Sequence, residues 1–247
     1  MSKTLENRLA VVTGASRGIG YFTALALAQQ GAHVIACART VGGLEELDDA
    51  IKADGNGSAT LVPMDLADMG AIDRLGGSIF KRWGKLDIMV ANAGVLGVVS
   101  PLAHLEAKVF EQVMAVNVTA TWRLIRSLEP LLLQSDAGRA VLISSGVAHT
   151  CRPFWGAYAA SKSAVEVLGR TWAGETAHTP IKVTNFDPGR TRTAMRAQAA
   201  PGEDPMTLPH PSEVAAKIVP LTRPDYQESG KLFVFREDRL KDYRLPE

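Results

Sequence analysis

The sequence predicts an α/β fold, a doubly wound parallel sheet of about seven strands with helices on both faces. Two observations lead to this prediction. Short apolar runs alternate with longer segments of helical periodicity along the 247-residue chain, and a glycine-rich turn joins the first run to the first helical segment. Such alternation is typical of parallel strands joined by helical crossovers, which are right-handed in almost all known cases.

Each predicted element rests on its own local pattern. The strands are short apolar runs, and they cover residues 9–13, 33–38, 59–64, 88–91, 140–144, 183–186 and 231–235. The helices have apolar residues at helical spacing, and they cover residues 19–30, 41–54, 68–83, 108–133 and 155–177. The first helix ends before Gly31, a residue typical of helix C-termini.

One composition shift interrupts this alternation. Residues 199–211 contain four prolines and a glycine, which predicts a long irregular loop of the kind that often covers a binding site. A disordered surface insertion is the alternative. We therefore expect one dinucleotide-binding and catalytic domain over residues 1–247, with a substrate loop near residues 190–212.

Composition and charge exclude several classes of protein. The net charge is +1 and 46% of the residues are apolar, so nothing attracts the whole chain to nucleic acid or to an anionic membrane. The N-terminus has no apolar run of signal-peptide length, and no run is long enough to span a bilayer. Two cysteines, Cys37 and Cys151, fit neither a disulfide framework nor a metal site. We expect a cytoplasmic protein with reduced thiols and no metal.

The glycine-rich turn after the first strand reads Thr-Gly-Ala-Ser-Arg-Gly-Ile-Gly and ends at Gly20. Glycines permit a tight turn and a close approach of backbone to a pyrophosphate, which then lies at a helix N-terminus. The position of this turn makes the predicted sheet Rossmann-like, although a purely structural turn is the alternative. The predicted cofactor contacts in this turn are Gly14, Ser16, Arg17, Gly18, Ile19 and Gly20.

The end of the second strand indicates which nicotinamide nucleotide binds. An acidic residue there would accept hydrogen bonds from a free ribose 2′-hydroxyl, but the segment Cys37-Ala-Arg39-Thr40 has none. Arg39 and Arg17 would instead bind a 2′-phosphate. The sequence thus predicts NADP(H) in preference to NAD(H), and two solvated surface arginines are the alternative.

Two further strand ends contain candidate cofactor contacts. Asp65 and Leu66 follow the third strand, where the carboxylate either accepts a bond from an adenine amino group or caps the next helix. Asn92, Ala93 and Gly94 follow the fourth strand, where small residues let the backbone lie against a ribose. An ordinary Asn-Gly turn is the alternative for this second segment.

Tyr158 and Lys162 are the strongest catalytic candidates. A spacing of four residues puts both side chains on one face of the predicted helix 155–177. An ammonium beside a phenol favours the phenolate, so we expect the pKa of Tyr158 to be lowered. A tyrosine tuned in this way can exchange a proton with a carbonyl or alcohol oxygen.

Taken together, these motifs resemble those of the short-chain dehydrogenase/reductase family over nearly the whole chain, from about Leu5 to Phe235. The glycine turn, the 92–94 segment and the Tyr158–Lys162 pair match family motifs. Ser145, thirteen residues before Tyr158, has the spacing of the family's catalytic serine. Asn117 matches its helix asparagine, and the motif beside the nicotinamide matches at Pro188, Gly189, Thr191 and Thr193.

The chain departs from the family pattern in small ways. Asp187 and Ala91 stand where many members have asparagine, and neither change removes a group that does chemistry. The strand at 232–235 is not followed by the glycine pair common in the family. The C-terminal, substrate-side part is therefore the least transferable.

The resemblance implies a mechanism and a site. Tyr158 would act as general acid or base, and Lys162 would tune it and bind the nicotinamide ribose. Ser145 would stabilise the substrate oxygen, and Asn117 would hold a water that links Lys162 to solvent. The implied reaction interconverts a carbonyl and a secondary alcohol by hydride transfer. A non-catalytic NADP(H)-binding regulator and an epimerase or dehydratase on the same fold are the alternatives.

The substrate is less determined by the sequence than the cofactor. We expect residues 95–99, 147–155 and 190–211 to line a mainly apolar pocket around Leu96, Val98, Val99, Phe154, Trp155 and Met195. His149 and Cys151 contact substrate or are only structural. Arg190, Arg192 and Arg196 form a solvated basic face, and binding of an acidic substrate is the alternative. Steroid, sugar, acyl thioester, quinone and small ketone substrates all stay open. The resemblance also implies a homotetramer, with a dimer as the alternative.

Overall fold

The computed structural model describes residues 3–243, and its centre is an eight-stranded sheet. Its strands are β1 (Leu9–Thr13), β2 (His33–Ala38), β3 (Ser58–Pro63), β4 (Ile88–Ala91), β5 (Arg139–Ile143), β6 (Lys182–Asp187), β7 (Lys231–Val234) and β8 (Arg239–Lys241). Their order across the sheet is β3-β2-β1-β4-β5-β6-β7-β8. The first seven strands pair in parallel, as predicted, and β8 pairs antiparallel with β7. Strand β8 escaped prediction because it is three residues long and mostly charged.

Nine α-helices connect and cover these strands in the part of the chain that the structure describes. They are α1 (Gly18–Gln29), α2 (Val41–Asp54), α3 (Met69–Trp83), α4 (Ala107–Met114), α5 (Ala120–Leu132), α6 (Val147–Thr150), α7 (Gly156–Glu175), α8 (Ala194–Ala199) and α9 (Pro211–Ile218). The prediction of one regular helix over 108–133 was wrong in one respect: a π-helical segment, Ala115–Thr119, separates α4 from α5. Such segments are often found at functional sites.

The proline-rich region is more ordered than the sequence indicated. Helix α8 lies in the expected substrate loop, just before the proline-rich segment 199–211. A short 3₁₀ turn at Pro205–Thr207 lies inside that segment, and α9 begins at its end. The helix α9 was not predicted, although its sequence contains the signal. Pro211 occupies the first turn, and the Glu213 side chain accepts a hydrogen bond from the His210 backbone N–H at 2.6 Å.

The sheet buries a separate apolar layer on each face. Alternate residues of β1 point to opposite faces, so Ala10 and Val12 join one layer while Leu9 and Val11 join the other. Helices α1, α2 and α9 cover the first face, and α3, α5 and α7 cover the second. This is the doubly wound arrangement that the sequence predicts.

A buried carboxylate ties the amino ends of the strands together. Asp87 is fully buried just before β4, where it accepts bonds from the backbone N–H of Leu9 at 2.8 Å and the hydroxyl of Ser135 at 2.6 Å. The guanidinium of Arg8 bridges Asp87 and the exposed Asp136. Because buried carboxylates must be hydrogen-bonded, this cluster fixes three chain segments at the edge opposite the cleft described next.

Candidate active site

A cleft of about 1620 Å³ runs along the carboxyl ends of the parallel strands. Open α/β sheets bind ligands at this edge, where the connections leave in opposite directions. Here the direction changes between β1 and β4. Predicted site residues that line the cleft are Gly14, Ser16, Arg17, Gly18, Ile19, Arg39, Asp65, Leu66, Asn92, Ala93, Gly94, Ser145, Tyr158, Lys162, Pro188, Gly189, Thr191 and Thr193. Gly20 and Asn117 lie behind its wall.

The glycine turn has the shape that a pyrophosphate requires. Gly14 and Gly18 have φ values of 69° and 59°, which disfavour any residue with a side chain. A Cβ on Gly20 would lie 2.3 Å from the carbonyl oxygen of Gly14, so only glycine lets α1 approach β1 this closely. The first turn of α1 has no acidic residue and no side-chain cap. Its free backbone N–H groups therefore suit an anion.

The end of β2 brings two arginines to the adenosine side of the cleft. Arg39 and Arg17 are both exposed and both line the cleft, and a hydrogen bond from the Ala15 N–H to the Cys37 carbonyl joins the glycine turn to β2. Neither guanidinium pairs with a carboxylate in residues 3–243. Burial raises the pKa of the neighbouring Cys37 thiol to about 12, so this thiol is unreactive.

Two other strand ends complete this half of the cleft. Asp65 lines it and accepts a hydrogen bond from the Ala67 N–H at 2.9 Å, while Asp68, rather than Asp65, caps α3. The Asn92 amide donates to the Thr13 carbonyl at 2.8 Å. The Asn92 and Ala93 N–H groups both donate to the Thr13 hydroxyl, at 3.0 and 3.1 Å. Asn92 thus connects β4 to β1 and is more than a turn residue.

Helix α7 places Tyr158 and Lys162 one turn apart on the cleft wall, and both side chains are buried. The Lys162 Nζ lies 5.7 Å from the Tyr158 ring centroid and donates a hydrogen bond to the Ile143 carbonyl at 2.7 Å. Burial lowers the pKa of Lys162 to about 8, and the Glu166 carboxylate opposes that change. An ammonium with a lowered pKa loses its proton more easily, so it stabilises a neighbouring phenolate less.

The expected lowering of the Tyr158 pKa is not found in this arrangement. Burial raises the pKa of Tyr158 to about 12, the Ser145 hydroxyl opposes the rise, and the Asp187 carboxylate adds to it. The reason is desolvation, which disfavours the phenolate more than these neighbours favour it. At neutral pH the side chain is therefore a phenol that can donate a proton.

Ser145 and Asp187 stand at the ends of β5 and β6, next to the phenol. Asp187 Oδ1 accepts bonds from the backbone N–H groups of Gly146 at 2.9 Å and Gly189 at 3.0 Å. It thereby holds both the serine turn and the Pro188-Gly189 turn. The sequence marked Asp187 only as a departure from a pattern, and its positioning role appears only in three dimensions.

The side-chain amide of Asn117 makes three hydrogen bonds within the protein. Its Oδ1 accepts from the Val95 N–H at 2.8 Å, and its Nδ2 donates to the Val95 carbonyl at 3.0 Å and to the Ser161 hydroxyl at 2.9 Å. A Cβ built on Gly94 would lie 3.2 Å from Asn117 Oδ1 and 3.5 Å from Lys162 Nζ. Asn117 thus holds the segment after β4 close to the Lys162 side chain.

The substrate side of the cleft is more mixed in polarity than predicted. Leu96, Trp155 and Met195 line it, whereas Val98, Val99 and Phe154 are exposed outside it. The arginines do not form a solvated basic face. Arg190 and Arg196 both pair with Glu203, and Arg192 Nη1 lies 3.2 Å from Met206 Sδ. These contacts hold α8 against the segment after it.

A polar cluster behind Lys162 was missed by sequence reasoning. Glu166, one turn after Lys162 on α7, accepts a bond from the Ser144 hydroxyl and contacts the His149 imidazole. Tyr243, near the C-terminus, accepts a bond from the Asn185 amide at 2.9 Å and packs against Arg170. Only the four-residue spacing of Glu166 from Lys162 is visible in the sequence.

Within residues 3–243, no cluster of three or more His, Cys, Asp or Glu side chains has the arrangement of a metal site. None of the helices described combines the length and the apolar character needed to cross a membrane.

Comparison with known proteins agrees with this geometry. A family model described as short chain dehydrogenase matches residues 8–204. Uncharacterized oxidoreductase YciK of Escherichia coli is 40% identical over 212 residues, 85% of this chain and 84% of that protein. Uncharacterized NAD-dependent oxidoreductase MT0715 of Mycobacterium tuberculosis is 35% identical over 205 residues, 78% of this chain and 74% of that protein. A Shigella flexneri short chain dehydrogenase complexed with NADP superposes with a TM-score of 0.91 at 36% identity, covering 96% of this chain and 100% of that one.

Proposed function

This chain belongs to the short-chain dehydrogenase family, and from that premise we propose that it is an NADP(H)-dependent oxidoreductase that interconverts a carbonyl group and a secondary alcohol. One observation carries the proposal. The Tyr158 phenol, the Lys162 ammonium and the Ser145 hydroxyl line the same cleft as the glycine turn. A proton donor is therefore available next to a nucleotide-shaped site.

The first part of the proposal concerns the cofactor. The glycine turn and the uncapped N-terminus of α1 would hold the pyrophosphate, and Arg17 and Arg39 would bind a 2′-phosphate. Bound NADP(H) would supply the hydride acceptor or donor at nicotinamide C4. The relative with bound NADP supports this choice, and the NAD-dependent relative makes the preference worth measuring.

The second part concerns proton transfer. Tyr158 would donate its phenolic proton to the substrate oxygen in the reductive direction and remove it in the oxidative direction. Ser145 would hydrogen-bond the same oxygen and stabilise the charge that develops on it. Lys162 would hold the nicotinamide ribose and favour the phenolate electrostatically. The raised pKa of Tyr158 keeps the phenol protonated at neutral pH, which favours reduction.

Two alternatives keep the fold and change the activity. A non-catalytic NADP(H)-binding regulator would need no buried phenol beside the cleft, yet Tyr158 is buried there. An epimerase or dehydratase would use the same cofactor site. Both alternatives predict NADP(H) binding without net consumption of NADPH when a ketone is added.

Titration of the pure protein with NADPH and with NADH, followed by nucleotide fluorescence, tests the cofactor assignment. We expect NADPH to bind more tightly. Arg39→Ala should weaken NADPH binding by about tenfold or more and leave NADH binding nearly unchanged, since an exposed charge-assisted contact contributes about 1–2 kcal/mol. Arg236→Ala, which removes a charge at the far end of the same cleft, is the matched control. Equal or tighter binding of NADH would contradict the assignment.

The proposal extends to the organisation of the protein. We propose a single dinucleotide-binding and catalytic domain over residues 1–247, with the substrate bound against residues 190–212. A homotetramer is proposed and a dimer is the alternative, because α4, α5 and α7 leave Phe110, Trp122 and Val167 exposed. Light scattering on the purified protein measures the mass directly. A cytoplasmic location stays a prediction.

A further inference from the structure

We propose that Glu166 is a positioning residue for Lys162, whose carboxylate supplies the fixed counter-charge that keeps the buried ammonium protonated during turnover. The inference rests on the proposed function, which needs that ammonium beside the phenol. It concerns a carboxylate that the proposed chemistry does not otherwise use.

The Lys162 ammonium has no charged partner in direct contact within residues 3–243. Its side chain is buried, and its Nζ donates to one neutral acceptor, the Ile143 carbonyl. Within residues 3–243 no carboxylate lies within ion-pair distance of this Nζ. A buried ammonium without a charged partner tends to lose its proton, because the charged form is poorly solvated. The protein must therefore compensate this charge from a greater distance.

Glu166 is placed to do so. It lies four residues after Lys162, so both side chains project from the same face of α7, and its carboxylate is buried as well. Charges separated in a poorly solvated interior interact more strongly than at the surface. The effect on the Lys162 pKa agrees with this geometry. Burial lowers that pKa, and the Glu166 carboxylate opposes the change.

The carboxylate is held in place from three sides. Ser144 Oγ donates to Glu166 Oε1 at 2.5 Å, and His149 Nε2 lies 3.0 Å from Oε2. The Tyr243 phenol is the third neighbour of this carboxylate. Burial is the main cause of the raised pKa of Tyr243, and Glu166 adds to the rise. These contacts prevent Glu166 from swinging toward Lys162 and forming a direct pair. The carboxylate thus acts at a fixed distance.

The charged and titratable groups that face Glu166 come from three elements. Lys162 and Arg170 lie on α7, His149 lies on α6, and Tyr243 follows β8. All four line the cleft, and among them Lys162 lies one helical turn from Tyr158 on α7. A change of charge at position 166 is therefore expected to reach the proposed catalytic pair through Lys162.

The test compares Glu166→Gln with the wild type, because glutamine keeps the shape and an acceptor for Ser144 while removing the charge. Lysine ε-methylene NMR on ¹³C-lysine-labelled protein, assigned with Lys162→Arg, follows the Lys162 titration directly. We expect the Lys162 pKa to fall by about one pH unit in the variant. The basic limb of kcat/KM for carbonyl reduction should move to lower pH by the same amount, because activity is lost when the ammonium loses its proton.

Two further variants control the experiment. Glu175→Gln removes an exposed carboxylate from the same helix, about 20 Å along the axis from Lys162, and should move neither readout. If Glu166→Gln does not fold, the double variant Ser144→Ala/Glu166→Gln removes the buried hydroxyl together with the charge and repeats the test.

The outcomes separate the two proposals. A folded variant with an unchanged Lys162 titration would overturn the inference and leave Glu166 as a structural residue. An NMR shift in a protein that reduces no carbonyl compound would support the counter-charge and reject the proposed function instead.

Discussion

At the scale of single residues, two buried carboxylates act on different members of the proposed catalytic pair. Burial raises the pKa of Tyr158 and Asp187 adds to that rise, whereas burial lowers the pKa of Lys162 and Glu166 opposes that fall. Asp187 thus favours the neutral phenol of Tyr158, and Glu166 favours the charged ammonium of Lys162. The protonation of the site is therefore set by residues from β6 and from the second turn of α7 beyond Tyr158.

Asp187→Asn should lower the Tyr158 pKa, because it removes a negative charge that favours the neutral phenol. The amide oxygen still accepts from the Gly146 and Gly189 N–H groups. Alcohol oxidation needs the ionised phenol, so its rate rises with pH through the Tyr158 pKa. We expect this acidic limb to move to lower pH in the variant, measured as kcat/KM against pH. A limb that moves upward would contradict the prediction, and the distant exposed Asp49→Asn should leave it unchanged.

Much of this site could be predicted from the sequence, and the reason is local. Gly14, Ser145, Tyr158 and Lys162 belong to short motifs whose spacing fixes their relation within one element or one turn. Asp187 and Glu166 escaped, because their partners lie 41 and 22 residues away in the chain. Their roles depend on how β5, β6 and α7 pack, which no spacing in the sequence records.

At the scale of elements, the turn between β1 and α1 shows how closely backbone segments pack. Gly20 has no room for a side chain, whereas Gly77 in the exposed face of α3 has open space around its Cα. The packing around position 20 therefore requires glycine, whereas the space around position 77 can hold a side chain.

Alanine at these two positions should have opposite effects. Gly20→Ala should lower the free energy of unfolding by about 2–3 kcal/mol through overpacking and should weaken NADPH binding. Gly77→Ala should raise the free energy of unfolding by about 0.5–1 kcal/mol, because alanine favours the helix. Urea denaturation followed by circular dichroism measures both. Two variants of equal stability would show that the turn relaxes more freely than its packing indicates.

Prediction of the elements succeeded where the hydrophobic pattern was strong and failed where it was weak. Six of the seven parallel strands are buried, β3 is half-buried, and the predicted ends of all seven agree with the structure within one residue. The π-helical segment at Ala115–Thr119 keeps a helical apolar pattern, so periodicity alone could not reveal it. Strand β8 and helix α9 are short, and α9 was obscured by the prolines around it.

At the scale of the whole molecule, the two ends of the parallel strands have different functions. The cleft lies at the carboxyl ends, and the buried Asp87 cluster, which joins β1, β4 and the segment before β5, lies at the amino ends. This separation predicts that changes at the Asp87 end affect stability and leave the chemistry intact.

Asp87→Ala should lower the free energy of unfolding by about 3 kcal/mol, since it leaves the Ser135 hydroxyl and the Leu9 backbone N–H without their acceptor and removes one of the two carboxylates that pair with Arg8. Thermal and urea denaturation measure the loss, and the exposed Asp49→Ala is the matched control. The kcat of the folded fraction should stay close to that of the wild type. A large loss of kcat with unchanged stability would show that the two ends are coupled.

We propose that NADPH bound in this cleft donates a hydride to a carbonyl carbon while Tyr158 donates a proton to the carbonyl oxygen. NADPH consumption, followed at its absorbance band against a panel of ketones and aldehydes, tests it most directly when wild type and Tyr158→Phe are compared. We expect the wild type to consume NADPH with at least one carbonyl compound, and we expect Tyr158→Phe to lose at least about 100-fold in kcat while it still binds NADPH. Undiminished turnover by Tyr158→Phe, or no turnover by the wild type with any carbonyl compound, would contradict it.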